Sequence, residues 1–147
     1  MKPIKKRTTQ REISRRAQIG PDFLSHIIHG DRPCPRKVAV RLEAARRAYL
    51  DVVDFVVTNT KSEPNAVFAG SVPYLLLAGR LMAGWQLARS LLAAQASLDK
   101  GQDRAFMQAK IVTAQFYAEH VLSALPGMRD AIVDGAASVN ELALESF

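Results

Sequence analysis

Apolar residues along this chain recur mostly every three or four positions, which is the spacing of one face of an α-helix. Near the N-terminus, Thr9 is a good helix cap and Glu12 lies three residues on, as a capping box requires; Ile13 and Ala17 share a face. Gln18-Ile19-Gly20 breaks that helix, and Pro21 restarts another at a position that proline tolerates. Phe23, Leu24, Ile27 and Ile28 supply the apolar side of this second helix, and Gly30 stops it. Asp31-Arg32-Pro33-Cys34-Pro35 reads as a loop. A third helix begins near Pro35, carries Val38, Val40, Leu42 and Ala45, and continues to about Asn59.

Beyond the loop Lys61-Ser62-Glu63-Pro64-Asn65, the pattern predicts a long helix from about Ala66 to Leu98, with Pro73 kinking it or marking its true start. A turn at Lys100–Asp103 leads to a helix from Asp103 to Leu125, bearing Phe106, Ile111, Ala114, Tyr117 and Val121 at helical spacing. Pro126-Gly127 should end it. A short helix from Met128 to Asp134 and a tail with Val139, Leu142, Leu144 and Phe147 follow. Small residues at Ala78, Gly79, Ala83, Gly84 and Ala88 offer positions for close helix approach. The expected fold is all-α: a short helix-turn-helix segment (1–45), then an antiparallel bundle of three or four helices (46–147).

Charge divides the chain in the same place. Residues 1–48 hold 13 Lys/Arg and 4 Asp/Glu, a net of +9, whereas residues 49–147 carry a net of −3. The basic part suits a phosphate-bearing partner and the larger part suits a different one. An apolar fraction of 48% excludes global disorder. The one cysteine, Cys34, excludes an internal disulfide. His26 and His29 lie near it, but a fourth zinc ligand is missing, so no metal is expected. No apolar stretch follows the basic N-terminus as a secretory signal would require, and Pro73 and Arg80 interrupt the most apolar run, Ala66 to Trp85. A cytoplasmic protein without membrane spans is the expectation.

Two resemblances sharpen this reading. Residues 9–45 resemble the Cro/phage-repressor helix-turn-helix family at Thr9-Gln10, Ile13, Ala17, Ile19, Leu24-Ser25, Ile28, Gly30, Arg32, Pro35 and Leu42. The resemblance implies double-stranded DNA as a partner, with Asp22 and His26 facing bases and Gln10 on the phosphate side. Arg11, Arg15, Arg32 and Lys37 would then be backbone contacts by charge and position. The family's first helix has no counterpart before Thr9, and Pro21 and Asp22 are poor base readers.

Residues from about 48 to 147 resemble the extra C-terminal helical domain of large bacterial acyl-CoA dehydrogenases. Glu63-Pro64-Asn65-Ala66, Ala69–Leu75, Gly84–Arg89, Ala109-Lys110, Phe116–His120 and Gly135–Val139 carry the match. It implies an accessory bundle packing on a flavin-bearing core, with the catalytic carboxylate, flavin and acyl-CoA contacts in domains for which 147 residues leave no room. No P-loop, GxGxxG or catalytic triad is visible. No enzyme activity and no cofactor are therefore expected. Trp85, Phe116 and Tyr117 are expected in the core. Glu119 and His120, as neighbours on a helix, point apart and are expected at the surface; Cys34 is expected as an exposed, ordinary thiol.

Three functions fit these residues. The first is an accessory or oligomerisation module that binds itself or an acyl-CoA dehydrogenase chain. The second is a DNA-binding regulator using the bundle for dimerisation or acyl-CoA sensing. The third is a gene-fusion remnant.

Overall fold

The computed structural model describes residues 34–139 and residue 141, and every described element is helical. Helix α1 spans Arg36–Asn59. Its core face follows from spacing: Val38, Leu42, Ala45 and Val52 are buried, and Tyr49 and Val56 pack against them. At 24 residues it is a rod of about 36 Å. It runs without a break through residue 45, where the composition changes. The Asn59 side chain closes its last turn by donating to the Phe55 carbonyl at 2.9 Å.

Helix α2 (Pro64–Ala69) starts on its proline. Helix α3 (Ser71–Leu98) follows directly. The helix expected from Ala66 to Leu98 is therefore two helices, parted at Gly70. Pro73 falls in the first turn of α3, where its missing N–H costs no hydrogen bond, so it accompanies a start and makes no kink. Leu77, Leu81, Gly84, Ala88, Leu91 and Ala94 form the buried stripe of α3.

Gly101, at φ 72°, turns the chain, and the Asp103 carboxylate caps helix α4 (Arg104–His120) by accepting from the Phe106 N–H at 3.2 Å. Helices α3 and α4 make an antiparallel hairpin and the most extensive helix pair of the fold. Small α4 residues, Ala114 and Ala118, line the contact side with Ile111.

Helix α4 stops at His120, before the expected Leu125; a 3-10 turn, Leu122–Ala124, follows. Helix α5 (Leu125–Val133) then begins with Pro126 in its first turn. The Pro126-Gly127 pair expected to end a helix thus opens one, the role proline's fixed φ favours. Leu122, Leu125 and Ile132 plug the centre of the bundle, and α5 lies against α1 and α3. A last turn, α6 (Ala136–Val139), rests on α2. The helices expected around residues 9–30 and the tail residues Leu142, Leu144 and Phe147 lie outside the described residues.

Candidate docking surfaces

Helix α3 is apolar on two sides, and only one faces the core. From Ser71 to Gln86 its single charged residue is Arg80, whose guanidinium turns inward and donates to the Met128 sulfur at 3.1 Å. On the outer side Val72, Leu75, Leu76 and Met82 stand in solvent, continued by Phe68 of α2; Leu75 is 73% exposed and Phe68 66%. Gly79 and Ala83 lie exposed among them, so neither serves the close approach inside the bundle expected of it. Gly84 and Ala88 do. Clustered apolar side chains on one helix face mark an interaction surface, whereas isolated ones are ordinary.

The outer side of α4 is apolar in a different way. Phe106 carries the Lys110 ammonium over its ring at 5.0 Å. Phe116, expected in the core, is exposed and stacks against His120 with ring centroids 4.5 Å apart. The reason is register: Ile111, Ala114 and Ala118 hold the core side of α4, which leaves Phe116 on the far side. Trp85 is half-buried under the Arg89 guanidinium, 5.4 Å from its ring. Tyr117 is also half-buried, donating its hydroxyl to the Arg80 carbonyl at 3.2 Å.

Between α1 and α5 runs an open groove of about 710 Å³. Its floor is apolar: Cys34, Ala39, Val40, Ala44, Ala48 and Pro126. Its charged rim is balanced, with Arg36, Arg47 and Arg129 against Glu43, Asp51 and Asp130. Most of these charges already have partners. Glu43 accepts from Arg47 at 2.8 Å and from Arg46 at 3.2 Å. Arg129 reaches Asp130 at 2.9 Å, Asp134 at 2.6 Å and Asp51, across the groove, at 3.7 Å.

Cys34 contradicts its expected exposure: it is buried, and desolvation pushes its thiol up to about 11. Val38 and the bundle core close over it, and sequence spacing carries no sign of this. A thiol so shifted is a poor nucleophile at neutral pH.

Of the expected DNA contacts, Gln10, Arg11, Arg15, Asp22, His26 and Arg32 lie outside the described residues. Lys37 is described. It projects from the first turn of α1, and its ammonium lies 3.4 Å from the Glu119 carboxylate of α4. Arg36 and Arg41 stand exposed beside it. Glu119 thus points to α1 and His120 to Phe116, on separate sides of the helix, as expected for surface neighbours. Among the described residues no three His, Cys, Asp or Glu side chains group as metal ligands, and no helix is long and apolar enough to cross a membrane. The groove and the cross-groove ion pair had no sequence signal, since Asp51 and Arg129 are far apart in the chain.

Among the described residues the fold is a helical bundle with an exposed apolar face on α3, and comparison with known proteins places the chain in a family. The family model described as acetyl-CoA dehydrogenase C-terminal like matches residues 21–143. The chain belongs to this family. It is 47% identical over 87 residues to the 3-methylmercaptopropionyl-CoA dehydrogenase of Ruegeria pomeroyi, covering 59% of this chain and 15% of that protein. It is 38% identical over 66 residues to the broad-specificity linear acyl-CoA dehydrogenase FadE5 of Mycobacterium tuberculosis, covering 43% of this chain and 11% of that protein. The chain therefore spans a small fraction of the length of these relatives. No solved structure matches it significantly.

Proposed function

We propose that this chain is a non-catalytic accessory and oligomerisation domain of the acyl-CoA dehydrogenase type, which works by seating the outer face of α3 on an acyl-CoA dehydrogenase core or on its own copy. The observation that carries this is the exposed row Phe68, Val72, Leu75, Leu76 and Met82. A surface of this kind marks a place for a partner, and burying a large apolar side chain contributes about 1.5–3 kcal/mol. Membership of a family named for a C-terminal domain, and similarity to two much longer dehydrogenases, support a core as that partner. No described residue group suggests chemistry of its own.

The test is sedimentation velocity of the full chain, alone and mixed with an acyl-CoA dehydrogenase core stripped of its C-terminal helical domain. The proposal expects a complex that Leu75→Glu abolishes while leaving the melting temperature unchanged. A chain that stays monomeric and binds no core overturns it.

A second reading, a regulator that contacts DNA, draws on a separate observation. Arg36 and Lys37 occupy the first turn of α1, which holds no acidic residue. Cations at the positive end of a helix dipole are unfavourable by a few tenths of a kcal/mol each, a cost that a bound phosphate offsets. Anisotropy with random duplex DNA at several salt concentrations tests it: binding must fall steeply with salt.

A further inference from the structure

We infer that the exposed face of α3 is closed by a second copy of this chain, the two α3 helices crossing antiparallel about a two-fold axis at Gly79. That pairing rests on the outer face of α3 being a docking surface, as proposed above, and gives it one occupant. The exposed row of α3 runs from Val72 to Gln86 and falls opposite the buried stripe of the same helix. Side-chain sizes along it are arranged symmetrically about Gly79. In an antiparallel two-fold pair, the residue a given number of places before Gly79 meets the residue as many places after it on the other copy. Leu75 then meets Ala83, Leu76 meets Met82 and Val72 meets Gln86. The most exposed leucine of one copy thus faces a small residue of the other, and glycine faces glycine at the axis. Two-fold pairing requires this self-complementarity, whereas a foreign partner puts no such demand on the row.

Space, area and charge all permit the crossing. A Cβ at Gly79 would meet nothing within 4 Å, so two helices can approach there backbone to backbone. Phe68, Val72, Leu75, Leu76 and Met82 are 66, 68, 73, 50 and 43% exposed. Side chains of this size at these exposures offer roughly 500 Å² in each copy, so two copies bury about 1,000 Å², the area at which specific interfaces begin. Helix α3 carries no carboxylate, and its charged residues are Arg80 and Arg89. Arg80 turns inward onto the Met128 sulfur, and Arg89 holds its guanidinium over Trp85. Arg89 stands ten residues from Gly79, about 15 Å along the helix, so two copies place theirs roughly 30 Å apart at opposite ends of the pair. Against a Debye length of about 8 Å, these like charges do not oppose the pairing. The centre of the face carries no outward charge that would call for an oppositely charged partner.

The experiment is sedimentation velocity of the full chain from about 1 to 200 μM, the range in which an interface at the lower limit of size associates. A monomer is expected at the dilute end and a dimer at the concentrated end. Gly79→Arg should hold the chain monomeric throughout, because it sets a bulky cation at the axis. Its melting temperature in dilute solution should stay within about 2 °C of the parent, because the position is open in the single chain. Gly79→Gln, bulky and uncharged, should do the same. Cross-linking reads the geometry in a Cys34→Ala background, which removes the one native thiol. With copper–phenanthroline as oxidant, Gly79→Cys should join two copies across the axis. Leu75→Cys alone should not, since its two copies lie about 12 Å apart along the helices, beyond disulfide reach. Leu75→Cys mixed with Ala83→Cys should give the mixed dimer. A chain still monomeric at the concentrated end, a dimer that survives Gly79→Arg, or Leu75→Cys joining itself each overturns the inference. A monomer that binds a dehydrogenase core, in a complex that Leu75→Glu abolishes, overturns the second copy and leaves the docking surface standing. A monomer that binds no core overturns both.

Discussion

Leu122 fills the space that a side chain at Gly84 would need. Its Cδ2 lies 2.7 Å, and its Cγ 3.1 Å, from the position of a Cβ built on that glycine. Leu122 is fully buried at the junction of α3, α4 and α5, so it has no free rotamer to retreat into. Gly84→Ala should therefore destabilise the fold by about 1–3 kcal/mol through overpacking, less the ~1 kcal/mol that alanine gains in a helix. Urea unfolding of the full chain reads the difference. Gly79, five residues earlier on the same helix, has nothing within 4 Å of its Cβ position. Gly79→Ala should stabilise by about 0.5–1 kcal/mol, from helix propensity alone. Two glycines of one helix thus give opposite signs, and a common sign would refute this packing.

Leu91 is fully buried between the helices. Leu91→Ala should cost about 2–5 kcal/mol, and Leu75→Ala, on the outer face, within about 0.5 kcal/mol. Thermal melts that rank the two the other way would mean that α3 presents its other side to the core.

Alkaline pH tests the burial of Cys34. Its pKa is raised in the folded chain from 9.0 to about 11. Between those values the unfolded chain loses the thiol proton and the folded chain keeps it, so stability falls as pH rises from 9 to 11 and is whole below 9. The loss is at most ~3 kcal/mol, and Cys34→Ala should flatten that part of the profile. Tyr49 adds to the decline above pH 10: burial raises its phenol, and the Tyr74 phenol beside it raises it further. Tyr49→Phe separates the two contributions. Alkylation of native Cys34 at pH 8 should be slow beside that of the urea-unfolded chain.

The Lys37–Glu119 pair is a surface bridge, with the Lys37 side chain 84% exposed. Lys37→Ala should change stability by less than about 1 kcal/mol. If DNA binds this end of α1, the same substitution should lower the salt slope by about one. Glu119→Gln, which frees the ammonium, should strengthen binding. A slope indifferent to both places the DNA contacts elsewhere.

Much of the bundle could be read from spacing. Val38, Leu42, Ala45 and Val52 mark the core face of α1, and the end of that helix near Asn59 was placed by the polar loop after it. Prolines misled in one direction. Pro126 signals a helix boundary, but its fixed φ serves a start as readily as a stop, and here it serves the start. Phe116 misled because a large aromatic at helical spacing looks like core, while the core side of α4 is held by Ile111 and two alanines. The exposed apolar row of α3 lies within the most apolar run of the sequence, Ala66 to Trp85, but which of its residues face outward depends on the register of α3 against the core. The groove was not legible, because it depends on Asp51 and Arg129 meeting in space.

The unbroken run of α1 has a mechanical consequence. A helix of 24 residues is stiff over its whole length, so its two ends cannot reorient independently. A tilt of about 10° imposed at Arg36 sweeps Asn59 through roughly 6 Å, and carries the turn into α2 and Phe68 with it. The N-terminal end of this rod and the far corner of the apolar face are therefore tied to one rigid element.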